Sequence, residues 1–454
     1  MEAKEYIGNL VQKAKVAQRA FENATQEEVD VLVKALGKIV YDNAEDLARR
    51  AVEESGMGVY EDKVKKNRAK ANIIWNSLRS KKSVGIISRD EEPGIVKIAK
   101  PAGIVAAITP VTNPIVTPMC NSMFAIKGRN AVIVSPHPRT KKCGAYLISL
   151  FRNALTQHGA PEDLIQIIEE PTSELTVELM KAVDVVVSTG GGGIVKLAYS
   201  SGKPSLGVGQ GNVQCIIDRG IDVKEAVSKI IQSRAFDNGI ICSCEQSVII
   251  PQEMYEAVID EFKAQGTYYV EDEEEKNKFA QGLFPGGIIN KDLIGQSVQK
   301  IAQIVGVNIP QDRRVIVIKE NNENKKSVFR KEKMFPVLAA FTYGEFDEAI
   351  NIAEENLEIE GIGHTVSVHS NNKQNIEKLG ERVKVSRVVV NAPCATTAGG
   401  SFNYGFAPTT TLGCGYWGNN SLSENLDYKH LLNITRIGYP IEGVRIPTEE
   451  ELWG

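Results

Sequence analysis

Apolar residues recur at helical spacing over the first eighty positions. Ile7, Leu10, Val11, Ala14 and Val16–Ala17 lie three or four apart, and Val29, Leu32, Val33, Leu36 and Ile39–Val40 repeat the pattern. Both runs predict amphipathic helices. Thr25, with Glu28 three residues on, predicts an N-cap closed by a capping box. A further helix is expected from about Glu61 to Leu78. From residue 83 the pattern changes. Ser83 to Ser88 and Gly94 to Lys100 are strand-like runs around the turn Asp90 to Pro93, which predicts a hairpin. Gly103–Ile108, Ala131–Val134 and Val183–Val187 are short apolar runs that end in polar or glycine-rich breaks. Helical segments near 117–128, 142–157 and 172–181 separate them, and this alternation predicts a parallel sheet with helices on its faces. The pattern restarts with a helix over Val223–Ser233 and a strand over Gln246–Ile250, and alternates on to Val390. Asn321–Lys326 reads as a polar loop, and the Gly-, Thr- and Asn-rich stretch Asn391–Asn420 as an irregular loop suited to lining a site.

At 454 residues the chain has room for two or three domains. Its net charge of −4 gives no basic footprint for nucleic acid or an anionic membrane. No run approaches the roughly 18 apolar residues that span a bilayer. Met1–Tyr6 carries Glu2, Lys4 and Glu5 and lacks the apolar stretch of a signal peptide, so the expected compartment is the cytoplasm. Seven cysteines, an odd number in a long chain without a CxxC pair, argue against a disulfide framework. Five scattered histidines give no metal cluster.

Four segments carry candidate chemistry. In Phe236-Asp-Asn-Gly-Ile-Ile-Cys242-Ser-Cys244, Cys242 follows a polar turn and precedes a strand; it is either a nucleophile exposed at a sheet end or a buried small apolar residue. Ser188-Thr-Gly190-Gly191-Gly-Gly193 follows a strand and opens a helix, as a phosphate-approaching loop does, and a tight turn has the same appearance. Ser135-Pro-His137-Pro138-Arg139-Thr-Lys141-Lys142 sets basic residues after a strand, where a nucleotide's ribose or phosphate binds or where a solvated helix simply starts. Asn113, in Thr109-Pro110-Val-Thr-Asn113-Pro, is either a donor to a developing oxyanion or a turn residue before proline.

Together with Ser200-Ser-Gly-Lys-Pro204, Gly207-Val-Gly-Gln-Gly-Asn212, Gly363-His364-Thr365 and Leu412-Gly-Cys-Gly-Tyr-Trp417, these segments occur in one order over about residues 5–440. The chain in this respect resembles the CoA-acylating branch of the aldehyde dehydrogenase superfamily. The resemblance implies an α/β fold with a Rossmann-type cofactor domain over residues 1–232, which includes an oligomerisation hairpin near 83–100. A catalytic α/β domain over 233–425 and a C-terminal oligomerisation segment over 426–454 complete it. It implies Cys242 as the nucleophile, and Asn113 with the Cys242 N–H as the oxyanion donors. NAD or NADP would be held by Thr109, Pro110, Ser135, His137, Pro138, Arg139, Gly190, Gly191, Gly207 and Glu332. His364 would assist thiol deprotonation or serve as a structural histidine. A homodimer or homotetramer is expected. Bifunctional relatives add an iron-dependent alcohol dehydrogenase domain, and since the chain ends at Gly454 that activity is not expected.

One departure bears on the reaction. Hydrolytic relatives carry a water-activating glutamate in a Glu-Leu-Gly-Gly segment, where this chain reads Gly207-Val208-Gly209-Gln210. A thioester on Cys242 is therefore expected to await the thiol of coenzyme A and leave as acyl-CoA. Gly58–Lys63, His369–Asn372 and Thr396–Phe402 most resemble the succinate-semialdehyde members. Ser243, Thr396 and Thr397, with N–H groups around Gly399 and Gly400, are expected to hold a small anion. Sulfoacetaldehyde, acetaldehyde and propanal remain alternative substrates; an acyl-phosphate reductase and a non-redox cysteine acyltransferase are alternative activities.

Overall fold

The computed structural model describes residues 2–454. Four helices open the chain: α1 (Ala3–Phe21), α2 (Gln26–Asp42), α3 (Ala44–Ser55) and α4 (Tyr60–Leu78). Thr25 caps α2 as its spacing predicts. Its hydroxyl accepts from the Glu28 N–H, and the Glu28 carboxylate accepts from the Thr25 N–H at 2.7 Å. Asn43 separates α3 from α2: its side chain donates back to the Ile39 carbonyl at 2.9 Å, and its backbone leaves the helical region. The hairpin follows as β1 (Gly85–Asp90) and β2 (Ile95–Pro101), with the turn over residues 91–94, one residue beyond the expected position.

The first parallel sheet is built from β3 (Ile104–Ile108), α5 (Val116–Lys127), β4 (Ala131–Ser135), α6 (Lys141–Gln157), β5 (Ile165–Ile167), α7 (Ser173–Ala182), β6 (Val185–Thr189), α8 (Gly192–Tyr199) and β7 (Ser205–Val208). Its five strands lie in the order β5-β4-β3-β6-β7. Every residue of β3 and β4 is buried, as expected for strands covered on both faces. The strand order reverses between β3 and β6. In open parallel sheets, ligands bind in the crevice outside the carboxyl ends of the strands at such a reversal.

A second sheet takes β8 (Val213–Ile217), β9 (Glu245–Pro251), β10 (Thr267–Val270), β11 (Val315–Lys319), β12 (Val337–Tyr343), β13 (Val366–His369) and β14 (Val388–Val390), in the order β10-β11-β12-β9-β8-β13-β14. Helices α9 (Val223–Ala235), α10 (Tyr255–Ala264), α11 (Glu273–Leu283), α12 (Val298–Val305), α13 (Phe346–Ile359) and α14 (Lys373–Arg382) accompany it. The changeover between sheets falls between β7 and β8, about twenty residues before position 232, because β8 pairs with β9 and β13 and not with the first sheet. After β14 the loop predicted over 391–420 contains a short α-helix, α15 (Cys394–Thr397), and a 3-10 turn over Tyr416–Gly418. The chain then returns as β15 (Leu432–Gly438), which pairs antiparallel with β2, so hairpin and C-terminal segment form one three-stranded sheet. Among the described residues no helix is long and apolar enough to cross a membrane, and no cluster of three metal-ligating side chains is found.

Candidate active site

The two parallel sheets meet end to end. Segments leaving the carboxyl ends of β3, β4 and β6 face segments that enter the amino ends of β8, β9, β12 and β13, which carry Gly211, Cys242, Glu332 and His364 in turn. Between the entries to β8 and β9 the approach is tight at Gly211. A Cβ there would overlap the Cys242 carbonyl oxygen, with His364 Cε1 3.4 Å away, so only glycine fits.

Cys242 lies where two clefts join. The larger, about 650 Å³, runs along the carboxyl edge of the first sheet. Thr109, Pro110, Ser135, His137, Pro138, Arg139, Gly190, Gly191 and Glu332, nine of the residues expected to hold a cofactor, all line it. Gly207 does not. It packs beneath α8, where a Cβ would stand 2.9 Å from Tyr199 and Val195, and the cleft is reached instead by Val208, Gly209 and Gln210. At the N-terminus of α8, Gly191 and Gly193 have open space around them, and the first N–H groups of that helix have no acceptor within it. Open space, helix N-terminus and strand-order reversal coincide, so the residues present fit a dinucleotide diphosphate. Arg139 donates to the Ser55 carbonyl at 2.6 Å, and Glu54 accepts from the Lys142 and Cys143 N–H groups that begin α6.

The smaller cleft, about 560 Å³, opens on the other side of Cys242. Ser243 and Thr396 line it, with Gly399, Thr409 and Thr410 from the irregular loop. Thr397 and Gly400 do not: Thr397 is buried on the inner face of α15. Four basic side chains, Lys65, Lys66, Lys70 and Arg314, line this cleft against one acidic residue, Asp62. Lys70 donates to the Gly399 and Thr409 carbonyls at 2.8 and 3.1 Å, which leaves one of its three N–H groups for the cleft. Burial, with a small contribution from Lys66, brings its pKa down to about 8. The Arg314 guanidinium makes no hydrogen bond or ion pair with the described residues. These lysines escaped the sequence reading. Their signal was there: Lys63, Lys66 and Lys70 share a helical face with Val64, Asn67, Ala71 and Ile74, so the basic stripe lies on the buried side of α4.

Asn113 lines both clefts, and its Oδ1 accepts from Lys66 Nζ at 2.8 Å. Cys242 is half-buried and the other six cysteines are buried, so it is the accessible thiol. Cys244, two residues on, donates to the Ser233 carbonyl beneath the surface. The environment does not activate Cys242. Burial first, then the Glu332 carboxylate, push its thiol up to about 12, against a smaller opposing pull from Arg387. Glu332 is itself pushed up to about 8 by burial and by Glu360, and accepts from the Gly211 N–H at 3.2 Å. His364 lines neither cleft. It is buried behind Gly211, with both ring nitrogens unpartnered among the described residues, and burial with Arg387 keeps it neutral.

Two parallel sheets facing each other end to end leave one accessible thiol between a nucleotide-sized cleft and a basic one. The chain belongs to the aldehyde dehydrogenase family, whose pattern matches residues 2–430. It is 56% identical, over 99% of both chains, to a succinate-semialdehyde dehydrogenase (acetylating) from Clostridium kluyveri. It is 43% identical, over 99% of this chain and 93% of the relative, to a sulfoacetaldehyde dehydrogenase from Acholeplasma. Among solved structures it matches an acetylating aldehyde dehydrogenase from Geobacillus thermoglucosidasius with a TM-score of 0.93 and 40% identity, over 98% of each chain.

The raised thiol has a direct consequence. Alkylation of Cys242 by iodoacetamide in the cofactor-free protein should keep accelerating between about pH 7 and 10, close to tenfold per unit, because only thiolate reacts. Its rate, followed by mass of the Cys242 peptide, would contradict this picture by levelling off near neutrality.

Proposed function

We propose that this protein is an NAD(P)-dependent, CoA-acylating aldehyde dehydrogenase that works on a short anionic aldehyde, succinate semialdehyde foremost. The observation that carries the reading is the position of Cys242 between a dinucleotide-sized cleft and a cleft lined by four basic side chains. The aldehyde enters on the basic side. Cys242 gives up its thiol proton to solvent, Sγ adds to the carbonyl carbon, and charge gathers on the former carbonyl oxygen until that oxygen is reprotonated or the hydride leaves. The Asn113 amide and the Cys242 N–H are the donors for that charge, a contribution worth about a hundredfold to a thousandfold per donor in rate. The nicotinamide cofactor, when bound, accepts the hydride.

What remains on Cys242 is a thioester. The segment 207–211 brings no carboxylate to it, and Glu332 is the single acidic residue lining the larger cleft. Glu332 is held by Gly211 N–H and stands where the resemblance implies a ribose contact. Water is therefore poorly activated, and the thiol of coenzyme A, whose adenosine diphosphate suits the cleft the reduced cofactor vacates, takes the acyl group and frees Cys242. His364, which reaches neither cleft, takes no part in this scheme. The three-stranded sheet and the exposed Tyr439, Ile441, Val444 and Ile446 beyond it offer the surface for a cytoplasmic homodimer or homotetramer.

The reading is tested with succinate semialdehyde, sulfoacetaldehyde, acetaldehyde and propanal, each with NAD⁺ or NADP⁺, with and without coenzyme A. Multiple turnovers should require coenzyme A, and Cys242→Ala should abolish them while Cys244→Ala retains most of the rate. Sustained oxidation without any thiol would refute the acylating mechanism.

Substrate charge has its own test. A charge-assisted hydrogen bond is worth about 1.5–3 kcal/mol, so Lys70→Met should lower kcat/KM for succinate semialdehyde by about tenfold to a hundredfold. Propanal should change by less than about twofold, since no charged partner is lost. In the unaltered protein, the ratio of the two kcat/KM values should fall as pH rises through about 8 and Lys70 loses its proton. An equal loss on both aldehydes, or a ratio independent of pH, would remove Lys70 from anion recognition.

A further inference from the structure

We infer that Lys66 is a positioning residue for the addition step, and that it holds the Asn113 side chain in the one orientation that turns its N–H groups toward the reacting carbonyl. The inference rests on the reading of Asn113 as an oxyanion donor and extends it one residue outward.

An asparagine amide can stand either way round, and only one way offers donors to an oxyanion. Lys66 Nζ lies 2.8 Å from Asn113 Oδ1. An ammonium only donates, so the oxygen must face it and Nδ2 is turned elsewhere. Asn113 lines both clefts at Cys242, and among the described residues its Nδ2 has no acceptor. Lys66 in turn is held: its Nζ donates to Asp237 Oδ2 at 2.6 Å, and both side chains are buried.

Asp237 is the anchor of a wider arrangement. Oδ2 also accepts from Lys63 Nζ at 3.0 Å, and Oδ1 accepts from the Val59 N–H at 2.9 Å. Its own N–H donates to Asp62 at 2.9 Å. No side chain fits at Gly58, where a Cβ would overlap Asp237 Oδ1. Asp237 and Asn238 both have left-handed backbones, with φ of 52° and 55°, a conformation that is sparsely populated outside glycine and persists only where surroundings enforce it. These residues lie four and five positions before Cys242. One buried carboxylate thus fixes both the segment that delivers the nucleophile and, through Lys66, the amide that receives the charge.

The test is a double-mutant cycle with Lys66→Met, Asn113→Ala and the pair, assayed with succinate semialdehyde and with propanal. The neutral aldehyde removes any direct attraction to the ammonium. Lys66→Met should lower kcat by about tenfold to a hundredfold, less than outright loss of a donor, with KM changed less than about twofold. Adding it to Asn113→Ala should lower kcat by no more than about twofold further, because Lys66 then has nothing left to position. Alkylation of Cys242 by iodoacetamide, which builds no oxyanion, should stay within about twofold of the unaltered protein in Lys66→Met. Multiplying effects in the double variant, or alkylation falling in step with kcat, would overturn the inference and assign Lys66 to the nucleophile segment alone. An Asn113→Ala variant with unchanged kcat would instead remove the oxyanion reading itself. Should Lys66→Met not fold, Lys66→Gln, which keeps a neutral donor for one of the two oxygens, carries the same cycle: a kcat between those of the unaltered protein and Asn113→Ala is expected, and multiplying effects again refute it.

Discussion

The contact between the Gly211 backbone and the Cys242 carbonyl sets the geometry of everything around it. At that point the entries to the neighbouring strands β8 and β9 approach with no room for a side chain, at the amino edge of the second sheet that faces the first. Because the sheets abut end to end, loops from one supply the nucleotide cleft and loops into the other supply the thiol. The Gly211 N–H also holds Glu332, so the one acidic residue of the larger cleft is oriented by the residue that sets the spacing.

Within that frame the charges are divided. On the cofactor side, burial and Glu332 hold Cys242 as a neutral thiol. On the aldehyde side the lysines of α4 and Arg314 prevail, with Lys63 and Lys66 offset in part by Asp237 and Lys70 left facing the cleft. Resting thiol chemistry is thereby suppressed, and the proposed anionic aldehyde would be drawn to the basic side. The same lysine stripe serves the fold, since it joins α4 to the segment before Cys242, and serves the site, since it reaches Asn113 and the aldehyde cleft.

Much of this was legible in the amino-acid order. The capping box at Thr25, the hairpin and the buried strands of the first sheet follow from local pattern, and of the ten residues that the family resemblance assigns to the cofactor nine line the larger cleft. What escaped depends on distant pairing. Val213–Ile217 reads like any buried strand, and only its hydrogen bonds to β9 and β13 assign it to the second sheet. Gly207 looked like a cleft glycine, and the packing of Tyr199 and Val195 over it turned it inward. Lysines on a helix ordinarily read as a solvated face; that Lys63 and Lys66 are buried becomes visible only once Asp237, more than 170 residues away, is folded against them.

The proposed function rests on one covalent event, acyl transfer through Cys242, at the place where the two clefts meet. The most direct measurement is the mass of the Cys242 peptide after incubation with succinate semialdehyde and oxidised cofactor in the absence of coenzyme A. An acyl adduct should form on Cys242, roughly one per chain, and disappear when coenzyme A is added, with acyl-CoA appearing in its place. Acyl-CoA formed with no adduct ever detectable on Cys242, or an adduct that coenzyme A leaves untouched, would contradict the account.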